Sequence, residues 1–406
     1  MIRFITAGES HGKGLTAIVE GFPSNLKITS EYIDSQLKRR QAGYGRGMRM
    51  KIESDHSEIL AGIRDEKTLG SPVSIFIENK DWLNWVEILS SGKINRKIEK
   101  VTIPRPGHTD MAGTQKYNYD DIRNTIERSS ARETAARVAV CSVARRFLEE
   151  FDIHIGSFVE SIGGIYPETN FADKLFKNKL GRVFNAYAMS VKADKSPVRV
   201  FDKNHENKII KKIQSAKKKG DTLGGTFYVV ASGVPAGLGS FVHYDRKLNA
   251  DICHAIMSIN AVKGVEIGMG FGTAEVFGSQ VHDEITYKDN LLTRKTNRAG
   301  GIEGGVSTGL PVIVRGAMKP IATLMSPIYS VDLATMKNVK SRRERSDFVA
   351  VPACAVIAES MTAWIIAKHF IHKFGGDSLE ETKDNYNNFK KINEKRLLIN
   401  FTKSKK

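Results

Sequence analysis

Cysteine is scarce in this chain: Cys141, Cys253 and Cys354 are the only three among 406 residues, far apart and set among alanine, valine and isoleucine. That excludes a disulfide framework and any metal-ligand spacing, and predicts buried, reduced thiols and no bound metal. No apolar run reaches the roughly 20 residues of a bilayer-spanning helix, so no membrane partner is expected. The opening RFITAG reads as a strand and not as a signal peptide, which predicts a cytoplasmic protein. A Walker loop and a dinucleotide fingerprint are both missing, as are zinc, helix-turn-helix and RNA-recognition signatures. Acidic residues fall short, 45 against 62 Lys and Arg, for a net charge of +17. Much of the excess lies in two lysine-rich stretches, 208–220 and 390–406, without interleaved aromatics. These read as solvated faces, and no nucleic-acid partner is expected. The length allows a large core, and neither a domain boundary nor an internal repeat is visible.

Hydrophobic periodicity supplies helices and strands throughout. RFITAGE and GLTAIVEGF predict two strands around a turn, Thr29 or Ser30 caps a helix ending near Arg40, and Ser71 to Asn79 alternates as a strand. A helix is predicted from about Ser130 to Glu150, then a strand pair around HIGSFVESIGGI and a lysine-rich helix. GGTFYVVASGVPAG is a strong strand, Asp245 opens a helix through ICHAIMSINAVKG, and GVEIGMGFG continues as a strand. From about Pro352 to Lys373, with Gly375 as its stop, the residues are apolar on nearly every side, which predicts a core helix.

Two histidines stand in glycine-flanked turns with polar neighbours, His11 in GESHG and His108 in RPGHTD. Imidazole titrates at about pH 6.5, so such positions suit proton transfer. The segment RSSARETAARVA, Arg128 to Ala139, reads as a helix start: Ser129 or Ser130 caps it, and Ser130 with Glu133 fits a capping box. Arg128 and Arg132 then crowd a positive helix end, where a bound anion would account for them. Further arginines cluster in short turns, Arg39, Arg40, Arg46 and Arg49, and again Arg342, Arg343 and Arg345. Five glycines between Gly300 and Gly309 predict a loop of unusual backbone angles containing neither helix nor strand. KPIAT at Lys319 to Thr323 combines a lysine, a proline turn and a hydroxyl suited to a phosphate or ring edge.

In their order and spacing, GESHG, RRQAGYGRG, RPGHTD, RSSARETAARVA, SINAVKGVEIG, AGGIEGGVSTG, KPIAT and RSDFVAVPA resemble the chorismate synthase family over roughly residues 2 to 377. The resemblance implies an α+β fold with helices packed between antiparallel β-sheets, a β-α-β sandwich. It implies one large catalytic domain over 1–377, a basic C-terminal helix and tail over 378–406, and a homotetramer. The implied activity is a carbon-oxygen lyase of the shikimate pathway. It converts 5-enolpyruvylshikimate 3-phosphate to chorismate and phosphate by 1,4-elimination, using reduced FMN in aromatic amino acid biosynthesis. That substrate bears two carboxylates and a phosphate, which bidentate guanidinium groups suit.

Position by position, the family pattern makes His11 the acid for the departing phosphate and sets His108 on the reduced flavin ring. Asp347 takes part in proton removal with Ser10 and one of Ser129 or Ser130, Ser130 being preferred. Arg128, Ser129, Ser130, Asn260, Ala261, Gly304, Lys319, Pro320, Ile321, Ala322, Thr323 and Arg345 fall on FMN-binding positions. Arg40, Arg46 and Arg49 fall on positions for substrate anions or a nicotinamide cofactor, NADPH being a candidate flavin reductant. Ala322 and Ser346 depart from common family residues, and Met48 enlarges the loop around Arg46. Two other readings stand beside this one: an NAD(P)H-dependent flavin oxidoreductase using the same FMN site, and a basic nucleic-acid-binding protein favoured only by charge.

Overall fold

Alternating apolar and polar residues build the first of two four-stranded sheets among the described residues. The computed structural model describes residues 2–47, 54–95, 97–180, 184–288, 291–343 and 347–402. In it β1 (Arg3–Ala7), β2 (Gly14–Glu20), β3 (Ser57–Ala61) and β4 (Val73–Glu78) form an antiparallel sheet in the order β1-β2-β4-β3, with α1 (Ser30–Gln41) between β2 and β3 in the chain. Leu15, Ala17 and Val19 of β2 and Val73, Ile75 and Ile77 of β4 are buried while the residues between them are not, the period of two that one covered face requires. Thr29 is the cap of α1, its hydroxyl accepting from the Tyr32 amide at 3.3 Å.

The segment around RSSARE differs from the single helix expected. α2 (Arg123–Ser129) ends at Ser129, Ser130 is extended with φ −66° and ψ 143°, a 3-10 turn covers Ala131–Glu133, and α3 (Thr134–Glu149) follows. Ser130 caps the Arg132 amide at 3.3 Å, while the Glu133 carboxylate accepts from Thr6 Oγ1 at 2.7 Å and Arg137 Nε at 2.8 Å. The expected capping box does not form. Arg128 lies in the last turn of α2, where the macrodipole favours a cation, and Arg132 is buried against Asp55 and Asn79. Neither arginine needs a bound anion to explain it.

The second sheet draws on β5 (His154–Ile162), β6 (Gly225–Ser232), β7 (Val262–Ile267) and β8 (Val312–Met318), antiparallel in the order β5-β6-β8-β7. Between these strands run α4 (Ala186–Ala193), α5 (Lys203–Lys219) and α6 (Leu248–Met257). The strand pair expected around HIGSFVESIGGI is one strand, paired with β6 and followed by a single bridge between Ile162 and Ile165. Asp245 belongs to a short 3-10 turn, and Lys247 is the residue before α6. Past Ile267 the chain leaves the sheet for a 3-10 turn at Gly270–Glu275. The glycine-rich segment holds a small hairpin after all, Ile302–Glu303 against Val306–Ser307. Gly304 and Gly305, at φ +60° and +93°, make its two-residue turn. In α5, Ile209, Ile213 and Ala216 face inward and the lysines lie exposed, as expected of a solvated face.

α7 (Val351–Phe374) begins with Pro352 in its first turn and ends at Gly375, φ +62°. By length and composition it could cross a membrane, yet nearly all of it is buried inside the protein. α3 packs on β2 and β4, α7 packs on β5, β6 and β8, and the two helices pack on each other beside α1. One hydrophobic cluster runs through all of these elements. A smaller one, with Phe158, Tyr228, Val230 and Ile313, lies on the other face of the second sheet against Ala186 and Met189 of α4. α8 (Leu379–Thr402) is anchored by Tyr386, whose ring meets Phe151, Phe370 and Phe374. Two segments far apart in the chain meet: the Ser24 amide donates to Asp377 O at 2.9 Å and the Leu379 amide to Ser24 O at 3.0 Å. Cys141 and Cys354 are buried, whereas Cys253 is only half-buried.

Candidate active site

The GESHG turn joins β1 to β2, and its shape depends on Gly8 at φ +116°, where a Cβ would stand 2.4 Å from Gly14 O. Asn79, just past β4, pins the turn by donating from Nδ2 to Glu9 O at 3.1 Å and Gly12 O at 2.8 Å. The Ser10 amide donates to Glu127 O at 3.0 Å, and the His11 amide to Glu127 Oε2 at 2.8 Å. His11 Nδ1 lies 2.9 Å from Glu127 Oε1, and Trp85 stacks on the ring at 4.1 Å between centroids. The Glu127 side chain is 4% exposed and that of His11 20%, so the carboxylate is buried behind a ring that solvent still reaches. Ser10 Oγ stands 2.9 Å from Ser130 Oγ. The Ser129 hydroxyl instead donates to Thr125 O at 2.6 Å within its own helix, which makes Ser130 the hydroxyl that faces Ser10.

Behind this turn runs a buried ionic chain. Arg132 Nε donates to Asn79 Oδ1 at 2.7 Å, and Arg132 and Arg40 share the Asp55 carboxylate, Arg40 Nη2 at 2.5 Å. Burial draws Arg40 below the usual arginine range, Asp55 opposes it, and the nearby Arg132 and Arg46 charges add to the lowering. Arg40 is therefore a bracing residue in this structure. Arg46 is brought to Asp347, Nη1 to Oδ2 at 3.2 Å, and Asp347 Oδ1 accepts from the Gly47 amide at 2.5 Å.

The second histidine turn is built the same way. His108 Nδ1 lies 2.6 Å from Asp110 Oδ1, and Arg105 donates to the same carboxylate through Nε at 2.8 Å and Nη2 at 2.9 Å. Burial alone would raise the Asp110 carboxyl. The hydrogen bonds and charges of Arg105 and His108 outweigh it and hold the group well below the usual range. Lys319 Nζ donates to Gly107 O, and Ala322 lies beside the same glycine. The Lys319 amide donates to Ala261 O at 2.9 Å, and Asn260 Nδ2 donates to Ser129 O at 2.9 Å. Burial lowers Lys319 below the ordinary lysine value, helped by Lys263. Thr222 Oγ1 fixes the KPIAT turn by donating to Ile321 O at 2.8 Å, and Thr323 is buried within it. An unbroken run of contacts thus links Ser10 through Ser130, Asn260, Ala261 and Lys319 to the His108 turn.

A cavity of about 710 Å³ opens beside this run, lined by Arg128, Ser130, Asn260 and Arg137 and walled by Phe4, Met361, Trp364 and Ile365. Arg128 holds the carbonyls of Thr6 at 2.8 Å and Gly8 at 3.2 Å. Gly304 makes the hairpin turn beside the start of α6, where Gly305 O accepts from the Leu248 amide at 2.9 Å. Arg49 and Arg345 fall outside the described residues. Sequence reasoning missed Glu127, Trp85, Asn79 and Asp55. Glu127 directly precedes RSSARE, and Trp85 belongs to KDWLNW, a tryptophan pair in a chain with three tryptophans, so each had a local signal.

The chain matches the family model described as Chorismate synthase over residues 2–371. It is 51% identical over 386 residues to the chorismate synthase of Chlorobaculum tepidum, covering 95% of this chain and 96% of that one. It is 49% identical over 390 residues to the chorismate synthase of Aquifex aeolicus, with 96% and 97% covered. A solved structure described as "Crystal Structure of Chorismate Synthase" superposes with a TM-score of 0.76 at 41% identity, covering 96% of this chain and 97% of that one. With half of its residues identical over nearly its whole length, the chain belongs to the chorismate synthase family.

Proposed function

We propose that the chain eliminates phosphate from 5-enolpyruvylshikimate 3-phosphate to give chorismate, with His11 as the acid that protonates the departing phosphate oxygen. The observation that carries this reading is the clamp on His11, a solvent-reached imidazole held by a buried carboxylate and a stacked indole. The elimination also removes a ring proton, which we assign to Asp347 with the paired hydroxyls of Ser10 and Ser130. Arg46 and Arg49 are assigned to the substrate's anionic groups, and Arg40 braces Asp55 and Arg132 behind them.

Reduced FMN fits the donor set. The cavity volume lies in the range of about 300 to 1,000 Å³ usual for ligand sites. Its lining combines hydrogen-bonding groups from Arg128, Ser130 and Asn260 with an apolar wall. Arg128, Ser129, Ser130, Asn260, Ala261 and Lys319 to Thr323 would hold the cofactor, with Arg345 and Gly304 assigned on the family pattern alone. When bound, reduced FMN supplies electron density to a reaction without net redox change. His108, its Nδ1 tied to Asp110, is assigned to the flavin ring, where it holds the ring's charge state. The same reading makes the molecule a cytoplasmic homotetramer with α3 and α7 filling a β-α-β sandwich. Residues 1–377 form the catalytic domain and 378–406 a basic appended helix and tail.

The test is anaerobic phosphate release with reduced FMN, with oxidised FMN, and with oxidised FMN plus NADPH. Release is expected with reduced FMN. Release in the third arm reveals intrinsic flavin reduction by NADPH, and folded protein inactive in every arm overturns the reading. His11→Ala is expected to lower kcat by about a hundredfold to ten-thousandfold.

A further inference from the structure

We infer that Glu127 is the positioning residue of His11: its carboxylate keeps a proton on Nδ1 and thereby makes Nε2 the atom that exchanges a proton in turnover. The inference rests on the reading of His11 as the acid. An ionised carboxylate only accepts hydrogen bonds. Both Glu127 oxygens are directed at the same residue, Oε2 to the His11 amide at 2.8 Å and to Nδ1 at 3.1 Å, and Oε1 to Nδ1 at 2.9 Å. The ring therefore carries hydrogen at Nδ1 whether it is charged or neutral, and only the proton on Nε2 comes and goes. Trp85, stacked at 4.1 Å with an interplanar angle of 25°, fixes the ring plane, and its own indole Nε1 is held by Asp81 Oδ2 at 3.0 Å. Glu127 sits in the last turns of α2, whose backbone also receives the Ser10 amide, so one helix end sets both the ring and the neighbouring hydroxyl. His108 is served by Asp110 in the same manner, but there the carboxylate is shared with Arg105. Glu127 is directed at His11 by both oxygens, and this supplies a sharper test.

Glu127→Gln distinguishes orientation from bulk. The amide has one acceptor and one donor end, and the His11 amide requires the acceptor. The Gln NH2 then takes the nearer, 2.9 Å, position at Nδ1 and the acceptor end keeps the 3.1 Å one, so the nearer contact favours an accepting Nδ1 and the neutral ring moves its proton to Nε2. A wrong tautomer of this kind in a catalytic triad costs about ten-thousandfold in kcat with the geometry intact. For Glu127→Gln a fall in kcat of about a hundredfold or more is expected, with KM changed less than about threefold and with the melting temperature and FMN affinity retained. In ¹⁵N-histidine spectra, with His11 assigned by its loss in His11→Ala, the neutral ring is expected as the Nδ1–H tautomer in the parent and as Nε2–H in Glu127→Gln. Glu127→Asp, which keeps an acceptor-only side chain, is expected to recover part of the rate. An unchanged tautomer in Glu127→Gln, at any level of activity, overturns the inference, as does full turnover with the tautomer reversed. Turnover retained in His11→Ala sinks the role of His11 instead, and the spectra still report on what Glu127 does to the ring.

Discussion

Glu359 lies midway along α7 with no exposed surface, facing three guanidinium groups. Arg39 meets it with Nη1 at 2.7 Å and Nη2 at 2.9 Å, Arg145 Nη2 stands at 2.6 Å, and Arg199 Nη2 at 3.1 Å. The hydroxyls of Ser157 and Ser190 add donors at 2.6 Å and 2.7 Å. A charge so deep is tolerated because its acceptor sites are filled and its sign is opposed. Removing it leaves three arginines crowded in the core. Glu359→Ala is expected to lose about 3 to 5 kcal/mol of stability, the usual consequence of breaking a buried ion pair from one side, read as a drop in the urea midpoint. A midpoint within error of the parent would show that the arginines find other partners.

At the scale of elements, Gly156 shows how closely α4 lies on the second sheet. A Cβ at that position in β5 would stand 1.9 Å from Ala186 O, so α4 must move away. Gly156→Ala is expected to cost about 1 to 3 kcal/mol by overpacking while phosphate release per folded molecule stays near the parent value. An unaltered thermal melt would contradict this. Such approaches are invisible in a sequence, where Gly156 reads as one more strand residue.

Strongly periodic elements were legible. The alternation of β2 and β4, the capped start of α1 and the uniformly apolar α7 all followed from residue spacing. The region around Ser130 was not, because Ser129 turns its hydroxyl back on Thr125 and ends one helix before the next begins. Long-range partners decided the rest: Arg132 reads as an anion-binding cation until Asp55 and Asn79 are brought to it. The two histidine turns announced themselves by composition. The carboxylate at His11 did not, since its partner stands 116 positions along the chain.

At the scale of the molecule, buried carboxylates tie stability to pH. Burial would raise the Glu359 carboxyl, but the charges of Arg39, Arg145 and Arg199 outweigh it and hold the group well below the ordinary range, as Arg105 and His108 do for Asp110. A depressed folded-state value means that the stabilisation is fully present above the unfolded carboxyl range of about 3.9 to 4.3. It is lost as pH falls from there through the folded values. The melting temperature is thus expected to change little between about pH 7 and 5 on account of these groups and to fall steadily below about pH 4. A melt unchanged down to pH 3 would mean that these carboxylates ionise alike in the folded and unfolded chain.

The clasp between Ser24 and the residues around Ser378 has a consequence during synthesis. Its partners are 353 positions apart, so at about 5 to 20 residues per second a ribosome takes roughly 20 to 70 s to deliver the second after the first. Throughout that interval β1 and β2 emerge without α7, whose Trp364 ring covers Phe4. α3 reaches β2 once residues 134–149 are made, whereas the Phe4 side of the hairpin waits for α7, so the two sides of one β-hairpin are covered at widely separated times during synthesis.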